Sequence, residues 1–573
     1  MEQTKKTNVL EKILGSRITT ETIGWKEKYL GHLVGPLGLI LVINTIAALI
    51  EKFFTQQASL FYASNPEMLA QMGNVYEVFM TVSKIGATIF GLVVGFILEK
   101  IPAKYGRFRP IYYLVGWISI LIGFLIFLFP GTTLGDGYWV FFFGLYGVYT
   151  MIGSTYFYLF RDNIVSLSTH NKKQKAQLTF IRKLSWTLVS GILIGLLVST
   201  VIIPLWLEYD INGYGLLMVI LSALAIPLFL MEYYYTKERI IDDENKEGKK
   251  DANKIPVLKQ FRALLTNKYF VLLFILTTLQ LVVDNFKGGN VQYFYVKFLL
   301  GGDTNGAMFS LFSIITGIPL GIGAFAIYPL AKKFGVKNVS LAGFLLYFIG
   351  SVVCMIAPDN LPIALIFGFI RQLGQLPYAY IFFTLVLYGY DSVEFKSGFR
   401  AEGLIAAAFF TALATAISAP FAGGYESSLL KMGFIDEVGV TPNAEIKEFM
   451  AFAFYGLDII LSAAYLIILP FVDIEKKMDF INAELLRRRK QECLDKGLTW
   501  VDPKEQERLE IIQQETEYEA NRIKDLKAKC EKKGLNFEEE NNKYLEKKAA
   551  KEAKLKEKEE AKEAKKKEKK SQK

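Results

Sequence analysis

The sequence predicts an all-α membrane protein with twelve transmembrane helices in two six-helix bundles, followed by a charged helical tail. Three observations carry this expectation. Apolar runs of about twenty residues recur along the chain, the length needed to cross a hydrocarbon core of about 30 Å. Lys and Arg gather in alternate connections between the runs. A polar segment, 236–268, divides the runs six and six. Helices rather than strands are expected because a segment in lipid must satisfy its own backbone polar groups.

Hydrophobic residues make up 52% of the chain, but unevenly. Nearly all of the first 472 residues are apolar runs with short connections, whereas 473–573 is dense in Lys and Glu. The net charge of +10 is therefore a property of loops and tail and implies no nucleic-acid partner. Cys354, Cys493 and Cys530 are too few and too scattered for a disulfide framework, and no His, Cys or carboxylate spacing resembles a metal site. No nucleophile–base or phosphate-binding pattern appears, so neither an enzyme nor a cofactor is expected. No cleavable signal peptide is evident, and the first apolar run is expected to stay as a span.

In chain order, 1–29 is a polar cytoplasmic segment. The first bundle, 30–235, holds runs at 31–54, 76–99, 111–130, 138–160, 184–207 and 214–235. The central cytoplasmic loop, 236–268, follows. The second bundle, 269–472, holds runs at 269–295, 306–331, 339–357, 361–389, 402–425 and 449–472. Glycine-rich stretches at 91–95 and 317–323 allow helices to approach closely. Lys100, Lys104, Arg107 and Arg109 lie in one connection, and Lys172, Lys173, Lys175, Arg182 and Lys183 two connections later. The connections between these carry almost no positive charge, which places both termini in the cytoplasm of a cell, expected to be bacterial. Two six-helix halves joined by a charged cytoplasmic segment is the layout of the major-facilitator fold, with a solute site between the halves near mid-depth.

Two cytoplasmic loops are distinctive. Tyr105-Gly106-Arg107-Phe108-Arg109-Pro110 follows the second run. Asp391-Ser392-Val393-Glu394-Phe395-Lys396-Ser397-Gly398-Phe399-Arg400-Ala401-Glu402-Gly403 precedes the eleventh. Their mixed charges suit ion pairs that close one face and release when it opens, so Arg107, Arg109, Asp391, Glu394, Arg400 and Glu402 are the candidate cytoplasmic gate. Together the loops resemble those of the glycoside–pentoside–hexuronide:cation symporter family, whose familiar member is melibiose permease. The likeness spans roughly residues 25–472 and includes Gln177-Leu178 before Arg182, Asn267-Lys268-Tyr269, and Tyr293-Phe294-Tyr295-Val296-Lys297. It implies the major-facilitator fold and uptake of a sugar or glycoside driven by Na⁺ or H⁺. The chain also departs from the family. Where the family's second span carries an Arg and two Asp, this chain has Lys84, Ala87 and Gly91. The family's span 1 Asp falls near Gly35 to Gly38, its span 4 Asp near Tyr158, and its span 11 Lys at Ala414. A cation site needs charged oxygen ligands, which Ala and Gly lack, so the family's usual cation site is not expected here.

Ionisable groups inside spans are costly and usually face a cavity. The candidate solute-binding residues are therefore Lys84, Asp284, Lys287, Arg371, Gln375, His32 and Asn44. Asp284 and Lys287 share a helix face, and the following Gly288-Gly289 is expected to break the helix locally. Asp284 is expected to pair with Lys287 or Lys84, and it is the first candidate for a coupling proton. Asp458 is the competing choice for that proton, though it is expected to pack at the periphery. Three cations against one carboxylate suggest an anionic solute such as a hexuronide.

The tail, 473–573, repeats a motif: Cys493-Leu494-Asp495-Lys496-Gly497-Leu498-Thr499-Trp500 recurs as Cys530-Glu531-Lys532-Lys533-Gly534-Leu535-Asn536-Phe537. Glycine after Lys reads as a helix C-cap, giving two helix–turn units before a low-complexity Lys/Glu/Ala end that can touch anionic lipid. The function expected is sugar or glycoside transport by alternating access, coupled to H⁺ or Na⁺. The rivals are a lysolipid or amphiphile carrier and a non-transporting sensor that signals through the tail.

Overall fold

The computed structural model describes residues 15–100, 106, 108–128, 137–169, 171–186, 211–239, 257–301, 307–398, 403–436, 440–495 and 499–550, with isolated positions between and after them. Every element among these residues is a helix. They are α1 (Leu37–Tyr62), α2 (Pro66–Lys100), α3 (Arg109–Leu128), α4 (Tyr138–Val148, continued by Tyr149–Ser154 and Thr155–Ser168), α5 (Lys172–Trp186) and α6 (Ile211–Tyr235). After the central segment come α7 (Val257–Leu265), α8 (Lys268–Lys287), α9 (Val291–Leu299), α10 (Ala307–Phe334), α11 (Val336–Ile356), α12 (Leu361–Tyr380), α13 (Phe383–Ser397), α14 (Gly403–Ser418) and α15 (Gly424–Lys431). The last are α16 (Ala444–Ala451, Phe452–Gly456 and Leu457–Ile468), α17 (Met478–Asp495) and α18 (Pro503–Lys533).

Eight helices among the described residues are long and apolar enough to cross a membrane. Of the other four expected runs, 184–207 lies largely outside the described residues, and the remaining three correspond to α10, α12 and α14. Leu216, Ile220 and Leu224, one turn apart on α6, are all exposed. An exposed apolar stripe of that kind is costly in water and matched by lipid.

The helices up to α6 share one apolar core, which includes Ile46, Phe53, Tyr112, Phe142 and Phe229. The later helices build separate cores, one around Leu276, Phe344 and Tyr465 and another around Phe294, Phe312 and Tyr455. Ala422 and Leu430 reach back from the later sequence into the first core. Close backbone packing explains two local sequence choices. A Cβ on Gly35 would lie 2.5 Å from the Glu232 Cα, and one on Gly38 would lie 2.6 Å from the Ala225 carbonyl oxygen. No side chain fits there, so the position at which the resembling family carries an Asp is filled here by helix α6. In the same way, a Cβ on Gly374 would come 2.4 Å from the Tyr347 nitrogen, so α11 and α12 touch backbone to backbone.

Three expected runs prove discontinuous, one of them 402–425, where α14 ends at Ser418 and α15 begins at Gly424. Run 269–295 breaks after Lys287, because Gly288 adopts φ +58° and ends α8 before α9 begins. Run 361–389 divides at Ile381 and Phe382, whose amides both donate to the Pro377 carbonyl at 2.9 Å. Proline has no N–H, so the Leu373 carbonyl lacks its ladder bond in the last turns of α12.

The tail starts as part of the second half. Ile474, Met478, Ile481 and Leu485 are buried in its core. The Glu475 carboxylate caps α11, accepting from the Val336 and Lys337 amides at 2.7 and 2.9 Å. Gly497 (φ +70°) and Gly534 (φ +64°) close the two helix–turn units, and the Leu535 amide donates to the Cys530 carbonyl at 3.0 Å. Helix α17 holds the α13 region through Arg488 Nη1 to the Phe395 carbonyl (2.8 Å) and Arg489 Nη2 to Glu394 (2.7 Å). Helix α18 reaches the other half, where Asp525 accepts from the Thr22 amide at 2.9 Å and its hydroxyl at 2.7 Å.

Candidate functional site

Polar groups converge on the second half of α8. Its start is fixed by Asn267, whose side-chain oxygen accepts from the Tyr269 and Phe270 amides at 3.0 and 3.2 Å. Helical spacing then places Gln280, Asp284 and Lys287 on one face, with Asn285 beside them. Gln280 Nε2 donates to Asp284 Oδ1 at 2.9 Å. From α2, Lys84 Nζ donates to Asn285 Oδ1 at 2.6 Å, and Asn285 Nδ2 donates to Ser418 Oγ, at the end of α14, at 2.9 Å. This short relay links the first half to the second.

A second cluster lies alongside. Lys287 and Arg371 each bind one oxygen of Asp458. Both also donate to the Phe454 carbonyl, at 2.9 and 3.5 Å. The Arg371 guanidinium lies 4.5 Å from the Phe454 ring centroid, a cation–π distance. Asp458 is 2% exposed, so its charge is tolerated only because two cations and their hydrogen bonds surround it.

The expected pairings are therefore rearranged. Asp284 was expected to neutralise Lys287 or Lys84, but Lys287 turns to Asp458 and Lys84 to a neutral amide. Asp458, expected at the periphery, is instead buried at the centre of the cluster. Asp458 raises the carboxylates to two, and Glu51 of α1, within electrostatic reach of Lys84, makes a third against the three cations. The available signal was that Asp458 is the one carboxylate within the last apolar run, 449–472, and so stands opposite any buried cation nearby.

The other candidates scatter. Gln375, half-buried, lies one turn beyond Arg371 on α12. His32 is fully buried in a different network: its Nδ1 lies 3.3 Å from Arg182 Nη1, Arg182 pairs with Glu232 at 2.8 Å, and the Tyr112 hydroxyl donates to Glu232 at 2.5 Å. Asn44 donates to Ile40 of its own helix at 2.9 Å. Among the gate candidates, Arg107, Arg400 and Glu402 lie outside the described residues. The Arg109 amide and guanidinium bond to Glu238 and to the Tyr233 carbonyl, both at 2.8 Å, within the first half. Glu394 is held by Arg489 of the tail, and Asp391 lies half-buried on α13.

Two carboxylates were not singled out from the sequence. Glu51 of α1 accepts a hydrogen bond from the Gly289 amide, freed by the break in α8. Glu426, read as part of a connection, is fully buried in α15. Further toward that end, Glu77 of α2 accepts from Lys431 and from Ser427, both at 2.9 Å, and the Asp436 amide donates to Ser59 at 3.0 Å. The two halves are thus fastened to each other on the face away from the tail.

Residues 31–476 match the model of a family described as MFS/sugar transport protein. An uncharacterised symporter of Bacillus subtilis is 27% identical over 391 residues, covering 67% of this chain and 78% of its own. A Salmonella typhimurium protein assigned as a sulfoquinovose importer is 26% identical over 472 residues, covering 80% of this chain and 92% of its own. An isoprimeverose transporter of Lactiplantibacillus pentosus is 23% identical over 328 residues, covering 54% of this chain and 63% of its own.

Proposed function

The chain belongs to the major-facilitator sugar-transport family, and from that premise we propose that it carries a sugar or glycoside across the cell membrane by alternating access, with both termini in the cytoplasm. The observation that carries this reading is the bond from Lys84 to Asn285, continued to Ser418, because it makes both halves contribute to one polar place. A solute bound there contacts both halves, and rocking one against the other changes its access from one side to the other. The contacts of Glu77 with Lys431 and of Ser59 with Asp436 favour a conformer closed on the face away from the tail.

Roles follow from the partners. Asp458 occupies the charges of Lys287 and Arg371, so this pair shapes the site wall. Lys84 has a neutral amide as its partner and, among the described residues, no carboxylate within 4.0 Å. A carboxylate or sulfonate on the solute would strengthen that contact, since a charged hydrogen bond is roughly twice as strong as a neutral one. Asp284, Asn285 and Gln375 supply acceptors and donors for sugar hydroxyls. An anionic sugar of the hexuronide type is therefore the favoured solute. The relatives include one assigned to a sulfonated sugar and one named for a neutral disaccharide.

Competition uptake into proteoliposomes tests the assignment. Hexuronides are expected to outcompete the matching neutral glycosides in the wild type, and Lys84→Gln is expected to erase that preference. Better competition by neutral glycosides in the wild type would overturn the anionic assignment.

A further inference from the structure

We propose that Glu51 and Glu426 hold one proton between them, and that this carboxyl pair, one member from each half, carries the coupling proton of the transport cycle. The inference rests on the transport reading above. Glu426 is 0% exposed, and among the described residues no donor makes a full hydrogen bond to either oxygen, Asn290 being the nearest amide. Its polar neighbours are Glu51 and Asn290. Asn290 is 4% exposed, and its Nδ2 lacks a partner. The Tyr76 hydroxyl, also fully buried and without a partner, stands within electrostatic reach of both carboxyls. Unpartnered polar atoms thus surround a carboxyl whose nearest ionisable neighbour is another carboxyl.

Two carboxylates side by side repel, and burying the Glu426 charge uncompensated is expensive. One shared proton removes the repulsion and supplies the missing donor. Among the described residues no cation pairs directly with Glu426. Lys84 of α2 is the cation that acts on Glu51, and it is already bonded to Asn285. The other titratable neighbours are Tyr76 of α2, Tyr146 of α4 and Tyr425 of α15, all neutral when protonated. Asp284 differs, taking a donor from Gln280 and lying within electrostatic reach of Lys287 and Lys84.

The placement makes the proton a latch. Glu51 rides on α1 and Glu426 on α15, beside the cross-half contacts of Glu77 with Lys431. With the proton in place, the pair ties the halves on the face away from the tail. Once the proton leaves toward the tail face, repulsion drives the halves apart and reopens the far face. Proton uptake from one side and release to the other then accompany each cycle.

The test is infrared difference spectroscopy of the reconstituted protein across a pH step, which needs no solute. The wild type is expected to show a protonated-carboxyl stretch that shifts in heavy water. Glu426→Gln and Glu51→Gln should each abolish it, Glu51→Asp should restore it, and Asp284→Asn should leave it in place. Absence of the band from the wild type, or its survival in both Gln variants, would overturn the proposal. In proteoliposomes, Glu426→Gln should lose accumulation driven by a pH gradient while counterflow of the same sugar remains measurable. Retained gradient-driven accumulation would overturn the coupling role. Because the infrared band is read without sugar, it separates failure of the proton site from failure of the sugar assignment.

Discussion

Replacing Asp458 with Asn keeps the side chain's shape but removes the charge that holds Lys287 and Arg371. The side chains of Arg371 and Asp458 are 5% and 2% exposed, so water cannot take over the lost role. Breaking a buried ion pair by removing one partner costs about 3–5 kcal/mol, because the remaining charge is stranded. Lys287 is 15% exposed and has some access to solvent, which places the expected loss near the lower end of that range. About 3 kcal/mol is roughly a hundredfold shift in the folding equilibrium. Equilibrium unfolding of the purified protein in mixed micelles would measure it. The triple variant Asp458→Leu, Lys287→Met, Arg371→Met removes all three charges together and should recover most of the loss, since a well-packed apolar replacement of a buried triad is often neutral or better. A single Asp458→Asn variant within about 0.5 kcal/mol of the wild type, the range of inconsequential substitutions, would refute the buried-triad reasoning.

Other outcomes follow from the same geometry. Gly374→Ala, whose new Cβ would lie 2.4 Å from the Tyr347 nitrogen, should force α11 and α12 apart and cost about 1–3 kcal/mol in the same unfolding assay. Arg489→Ala removes a contact to Glu394 from a side chain that is 49% exposed, and should change stability by no more than about 1 kcal/mol. Deleting 496–573 should leave a folded protein that still takes up sugar, whereas deleting 473–573 also strips Ile474, Met478, Ile481 and Leu485 from the core and should abolish stable expression. Loss of uptake in the shorter deletion with folding intact would favour the rival in which the tail, not the bundle, delivers the output.

Much of the architecture was legible because lipid imposes it. Long apolar runs and their all-helical structure follow from the cost of leaving backbone groups unsatisfied in hydrocarbon. The break after Lys287 and the caps at Gly497 and Gly534 were readable because glycine alone adopts those backbone angles without strain. The site was less legible. Lys84, Lys287 and Arg371 announced themselves as cations inside apolar runs, but sequence spacing relates only residues on one helix. It could not show that Asp458, far along the chain, supplies the countercharge of Lys287 and Arg371. Glu426 was hidden for another reason: α15 is an eight-residue helix in what reads as a polar connection, and only tertiary packing buries it. His32 shows the converse, an in-span polar residue whose Nδ1 is engaged by a structural network with Arg182 away from the candidate site.

The most direct test is uptake of a panel of labelled glycosides and hexuronides by proteoliposomes containing the wild type or Lys84→Ala. Saturable uptake of at least one sugar, greatly reduced by the substitution, is the predicted result. Uptake no faster than into protein-free vesicles for every sugar, or uptake indifferent to Lys84, would contradict a solute site built between the two halves.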